Sequence, residues 1–396
     1  MNQKIELENS VSSFDIVICG GGGAGLWLLN VLKNAGYSVL LVEKHSLGGI
    51  QTAASQGMIH GGQRYMLGNN FSIHAESVST LPARWDSCLC GQGEIDLRGV
   101  HILSDTQVMW PTGNGLSFFA VNTASYLVRA KTRILSGREV PEALSGLNVP
   151  IYELPEKVLD VASLVEVLSA LHKDSMHIGS VDTLSRDGSL VVSGNKVNAQ
   201  VIICVAGLGN EEFLTLLQAD KKSSQRRPLR QFMVKTISQP LYGHAITTSY
   251  KPRATVTSHP LPSGGYVWYL GGAIADDTLD LANDEAIAYA KQEINNIFPH
   301  LDWSDKVWAT WYGYRAEAYS KNGRLPDGPV IQEYGNTVVA WPTKLTLVPL
   351  LGDKILNLLT NRRISPKHTP SNSFRQNIPA VSPFPLLPWN MVEWSA

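Results

Sequence analysis

The hydrophobic and polar positions fall into two rhythms, and these alternate along the chain. Phe14–Cys19 is apolar without a break, as a strand buried on both faces would be. Glycines follow at 20, 22 and 25. Leu26–Ala35 then carries apolar residues at helical spacing, with Gly36 just past the end as a C-cap. A second apolar run, Ser38–Val42, closes on Glu43. The opening unit is strand, glycine turn, helix, strand.

The rest repeats these rhythms in pieces. Helices are expected over 162–173, over 281–297 with Ile287, Ala290, Ile294 and Ile297 on one face, and over 347–359 with Pro349 in the first turn. Val201–Val205 reads as a buried strand ending at Ala206-Gly207. The stretches "VHILSDTQVMW", "LRQFMVKTIS" and "RATVTSHPLPSGGYVWYLGG" read as antiparallel strands, with Pro262-Ser263-Gly264-Gly265 as a hairpin turn. Two patterns therefore interleave. Residues 13–85, 155–215 and 305–362 form one discontinuous α/β domain. Residues 86–154 and 225–304 form an antiparallel sheet inserted in it. Residues 363–396 form an extended Pro- and Trp-rich arm on the body or on a neighbour.

Composition narrows the function classes. Thirty-three basic residues face 34 acidic ones, so no net field draws nucleic acid or an anionic membrane. Four cysteines and a polar N-terminus without a signal pattern give a reducing, cytoplasmic setting as the default. Cys88 and Cys90 read as ordinary thiols or, in the alternative, a redox pair. The apolar stretch from Phe14 to Leu32 holds five glycines and does not read as a membrane span. No metal site is expected.

The glycines of the first unit carry chemistry. In G-x-G-x-x-G after a strand, Gly20 permits the tight turn, Gly22 lets backbone approach a pyrophosphate, and Gly25 lets the helix pack close. The helix N-terminus offers free N–H groups and partial positive charge to phosphates. Glu43, eighteen residues beyond Gly25, is placed to accept from ribose hydroxyls. Small residues continue past that acid, "HSLGGIQTAASQGMIHGG", and no second glycine motif follows. An extended FAD suits this loop better than NAD.

The chain resembles the D-amino-acid oxidase and glycerol-3-phosphate dehydrogenase superfamily of FAD enzymes. Four stretches carry the resemblance: the first unit with Glu43; "SQGMIHGGQRY", similar to an "HGGxRY" loop; "SGGYVWYLGGAIADD", similar to a "GGxxxGGTxE" hairpin; and "GYRAEAYSKNGRLPDGPVIQEYGNTVVAWPTKLTLVP", similar to the superfamily's C-terminal flavin segment. It covers most of 14–362. The resemblance implies a Rossmann-like, glutathione-reductase-type FAD domain with an inserted antiparallel substrate domain. It implies cofactor contacts from Lys44, Ser55, Gln56, Gly57, Gly207, Lys344, Leu345 and Thr346 beside Gly20, Gly22, Gly25 and Glu43. "WPTK" stands where relatives have a glycine pair, and the dehydrogenases' long C-terminal region has no counterpart. No clear counterpart exists for a flavin-linking histidine or cysteine, so FAD is expected without a covalent bond.

The resemblance also implies the reaction, oxidation of a C–N or C–O bond by hydride transfer to flavin N5. An anionic substrate calls for a guanidinium fork, and Arg64 and Arg315 stand where such groups are expected. His60 is a general base, a flavin hydrogen-bond partner or a structural histidine. Lys344 places positive charge by the flavin or sits on the surface. His259 and Tyr269 lie on expected substrate-domain strands, where half the positions face inward. The substrate is a small anionic amine or 2-hydroxy acid, and the electron acceptor O2 or a quinone. Alternatives are glycerol-3-phosphate-type alcohol oxidation, a flavin monooxygenase, or a non-catalytic flavoprotein subunit bound through the C-terminal arm, which also suits a homo-oligomer.

Overall fold

The computed structural model describes residues 11–61, 79–113, 132–247, 249, 251–321, 323, 326, 328–367, 384 and 386–395. Its first unit is strand β1 (Ser12–Cys19), helix α1 (Gly23–Asn34) and strand β2 (Val39–Glu43), with β1 and β2 parallel neighbours. α1 is buried from Gly23 to Leu32 because the sheet lies under it and two helices, Val161–Ala170 and Val348–Asn361, pack beside it. Asn30 is tolerated there because its Nδ2 donates to the carbonyls of Leu26 and Leu168 at 2.8 and 2.9 Å.

The first sheet has a five-strand parallel core. Its order is Thr337–Trp341, Asn195–Cys204, β1, β2, Met176–Ile178. The chain leaves β1 to one side and returns on the other, so strand order reverses between β1 and Asn195–Cys204. Such a switch point leaves a crevice at the carboxyl ends of the strands. Gly20 and Ala206 meet at its mouth: a Cβ on Gly20, whose φ is +119°, would lie 2.6 Å from the Ala206 Cα.

The second sheet has eight strands, antiparallel except where Gly243–Ile246 runs parallel to Gln107–Pro111. Alternation gives it two faces. Phe232, Val234, Trp268 and Leu270 pack against the helix Asn283–Ile297. Gln231, Met233, Thr255 and Tyr269 point the other way, toward the first sheet and a large cavity. Part of this second face is covered by the C-terminal segment. There Trp389 joins Met233, Val267, Tyr269 and Ala309, and Ser395 bridges to Trp308.

The helices start and stop within a few residues of expectation, and the hairpin turn at 262–265 joins Ala254–Pro260 to Tyr266–Gly271. Two expected boundaries move. Cys88, Leu89, Ile95, Leu97 and Val100 pack in the core of the first sheet, so the antiparallel part does not begin at residue 86. Val307–Ala318 pairs along its whole length with Ser224–Ile237 and so belongs to the second sheet. The chain returns to the first sheet at Val330–Tyr334, not at residue 305. Among the described residues no helix is long and apolar enough to cross a membrane.

Candidate active site

A cavity of about 1510 Å³ runs from the carboxyl ends of the parallel strands to the inner face of the second sheet. Its first end is built by the glycine turn. A Cβ on Gly25 would lie 1.8 Å from the Gly20 carbonyl oxygen, so this glycine seats α1 on β1 and does not itself line the cavity. Gly20, Gly22 and Gly23 do line it, and the N-terminus of α1 opens there. Glu43 also lines it. Its carboxylate accepts from the Gly21 amide at 2.6 Å and the His45 amide at 2.9 Å, which fixes it while leaving acceptor capacity for a ribose. The charges around this end are matched. Lys44 pairs with Glu212 at 3.3 Å and Arg226 with Glu211 at 2.6 Å.

The middle is a corridor of small side chains. Ala53, Ala54 and Ser55 line one wall, with Ala206 and Gly207 opposite. Gly207 takes φ +60°, and a Cβ on it would meet the Gln51 side chain at 2.9 Å. Gln51 in turn accepts from the Ala316 amide at 3.2 Å, tying the corridor to the second sheet. Ser55 Oγ accepts from the Gly57 amide at 3.2 Å. Gly57 itself stands outside the cavity. With φ +69° it lets the loop run against Leu159, whose carbonyl would lie 2.0 Å from an added Cβ, so its part is packing and not cofactor contact.

At the far end Lys344, Leu345 and Thr346 form the entry to the helix Val348–Asn361, whose N-terminal end faces the cavity. Thr346 Oγ1 donates to the His60 carbonyl at 3.4 Å, and His60 lines the same end. Arg315 lines the cavity from the second sheet, beside Ala316, whose amide donates to Gln51 in the corridor. Its neighbour Glu317, 1% exposed, is gripped by Arg227 at 2.7 Å. Gln231, His244 and Thr255 complete the wall. His244 is held at both nitrogens, Nδ1 with Thr255 Oγ1 at 3.1 Å and Nε2 with Gln107 Oε1 at 3.0 Å.

Two expectations need correction or fall outside view. His259 does point to the inner face of the sheet, but Trp389 stacks on it at 4.3 Å and seals it from the cavity. Burial holds its pKa down at about 3. A histidine in that state has no route to a substrate proton, so it is removed from the catalytic candidates. Tyr269 is fully buried beside it and ties the second sheet to the loop that follows the helix Ile50–Ala53. Its hydroxyl donates to the Ala54 carbonyl at 3.1 Å, and its own carbonyl accepts from Gln56 Nε2 at 3.0 Å. Arg64 lies outside the described residues. Cys88 is buried and Cys90 exposed, both as free thiols.

The family model of FAD dependent oxidoreductases matches residues 15–357. The chain belongs to that family. A probable FAD-dependent oxidoreductase of Pseudomonas aeruginosa is 41% identical over 363 residues, 89% of this chain and 93% of that one. Its crystal structure superposes with a TM-score of 0.82 over 96% of this chain and 98% of that one, at 36% identity. Glycine oxidase from Geobacillus kaustophilus (TM-score 0.64, 16% identity, 94% and 100% covered) and L-alpha-glycerophosphate oxidase from Mycoplasma pneumoniae (0.64, 17%, 88% and 95%) share the fold. This FAD-dependent oxidoreductase has a cavity fitted to its cofactor, with a phosphate turn, a ribose acid and a corridor free of bulk in the order a dinucleotide needs.

Sequence reasoning missed Gln231, His244, Thr255 and Met109 as lining residues of the oxidoreductase. A signal existed for Gln231. It is a polar residue in phase with Leu229 and Met233, on the face opposite Phe232 and Val234.

Proposed function

We propose that the protein oxidises a small anionic substrate at a carbon bearing nitrogen or oxygen, and that Arg315 binds the anion. Bound FAD supplies the hydride acceptor. The residues do the rest. Gly20, Gly22 and Glu43 hold the adenosine diphosphate half. Lys344 and the helix end at Leu345-Thr346 put positive charge beside the flavin edge that gains electrons. Arg315 fixes the substrate's charge, and small residues from Ala53 to Ser55 let the ring lie close. FAD is held without a covalent bond. Acid precipitation of the yellow protein should release all of it to the supernatant.

One observation carries the reading. Arg315 lines the cavity from the inner face of the second sheet. A planar guanidinium there matches a carboxylate in two places. Replacing Arg315 with lysine keeps charge and loses the fork. Its apparent dissociation constant for the substrate should rise tenfold to a hundredfold, about 1.4–3 kcal/mol. FAD content and melting temperature should stay near wild type. Normal substrate binding together with a lowered melting temperature would make Arg315 a structural residue and sink the reading.

A further inference from the structure

Exposed apolar side chains gather at one edge of the cavity. Leu386 and Met391 on the C-terminal segment are 61% and 49% exposed and Ile50 is 60% exposed, yet all three line the cavity. Among the described residues no other large apolar side chain is both exposed and part of that lining. Single apolar residues in water need no explanation. Three at the rim of a concave site mark where the apolar part of a ligand lies.

Several contacts bring the three together. A Cβ on Gly48, just before Ile50, would lie 3.2 Å from the ring of Phe384, just before Leu386. Tyr269 joins the other ends. Its hydroxyl donates to the Ala54 carbonyl at 3.1 Å, right after the helix Ile50–Ala53, and its ring lies 5.6 Å from Trp389. Arg315 bears on the same tyrosine. Burial pushes the Tyr269 phenol up, and the guanidinium charge pulls it the other way. Ala316, next to Arg315, donates its amide to Gln51 at 3.2 Å, next to Ile50.

The rim thus sets aliphatic side chains beside a guanidinium. The carboxylates of the described lining have their own partners: Glu43 the amides of Gly21 and His45, Glu211 the side chain of Arg226, Glu212 that of Lys44. A ligand that suits both features is amphipathic, with its charge at Arg315 and an apolar chain over the rim. Met391 fits such a chain because an unbranched thioether adapts to what lies against it.

We propose that Ile50, Leu386 and Met391 form a subsite for an apolar chain, so that the substrate is an amphipathic anion whose chain leaves the cavity over the C-terminal segment. This rests on the reading of Arg315 as the anion site.

The test is a flavin-absorbance titration of the holoenzyme with straight-chain carboxylates from butyrate to decanoate, each below its micelle concentration, and with 1-octanol. In the wild type the dissociation constant should fall about twofold to fourfold for each added methylene that reaches the rim. Leu386→Ser combined with Met391→Ser should flatten that dependence, with the butyrate constant within about twofold of wild type and FAD content unchanged. Should the double variant fold poorly, Leu386→Ser alone should flatten it by a smaller amount. Length-independent binding that Arg315→Lys still weakens overturns the subsite, keeps the anion reading and leaves the rim to a macromolecular partner. A length dependence untouched by the serine variants also overturns the subsite. Octanol binding as tightly as octanoate keeps the rim and overturns the anion at Arg315. If no carboxylate of any length perturbs the flavin, both readings fall.

Discussion

His259 shows at the scale of one residue how a cover decides chemistry. It stands on the correct face of the correct sheet, yet Trp389 shuts it off and burial keeps it neutral with a pKa of about 3. In the unfolded chain it titrates near 6.5. Below that pH the unfolded chain takes up a proton that the folded chain refuses. Stability from this group is complete above about 6.5 and falls as pH drops toward 3, by up to about 1.4 kcal/mol per pH unit. His172 and His177, whose pKa values burial also lowers, act in the same direction. His259→Phe should flatten the fall of melting temperature with acidity and leave the rate of flavin reduction unchanged. A slower reduction with an unchanged pH slope would return the histidine to the chemistry.

At the scale of elements, the two glycines after β1 fail in different ways. A side chain at Gly22 meets only the Thr52 hydroxyl at 3.2 Å on the protein side, whereas one at Gly25 meets backbone at 1.8 Å. Gly22→Val should therefore lose FAD while the cofactor-free protein melts close to wild type. Gly25→Ala should lower the melting of the cofactor-free protein itself, by about 1–3 kcal/mol of overpacking. Equal effects on the two cofactor-free proteins would mean that the turn has been misassigned.

This unit was readable in the sequence because it is local: strand, turn, helix and acid follow one another within one neighbourhood, and each residue type has a single job. Val307–Ala318 was not readable in the same way. Its polar and aromatic residues alternate without a partner in sight, and its sheet is chosen by pairing with Ser224–Ile237, some eighty residues earlier. Arg315 stood out through its motif. Gln231 became a lining residue only once that pairing set which side of its strand faced inward, His244 only through the pairing of Gly243–Ile246 with Gln107–Pro111 and Ala254–Pro260, and the loss of His259 required a segment from the far end of the chain.

Over the whole molecule, two sheets meet across one cavity and a C-terminal strap closes part of the join. Leu386 and Met391 line the cavity from that strap while remaining largely exposed on their other sides. Trp389 is its anchor, 8% exposed, with its ring 5.6 Å from Tyr269 as well as against His259. Trp389→Ala should cost about 3 kcal/mol of stability. It should also weaken substrate binding by freeing the strap, with FAD still bound, because the phosphate turn and the Glu43 end lie on the other sheet. Flavin titration and melting of the same preparation check both parts. FAD loss in step with substrate loss would show that the strap holds the two sheets together and does not merely finish one wall.

That strap also orders events during synthesis. Residues 386–395 leave the ribosome after every strand they lie against. The parallel sheet, its glycine turn and Glu43 are all available to a dinucleotide before the last wall exists. A nascent chain can thus take up FAD through an open side, and the chamber over the flavin is closed by a segment made after both sheets.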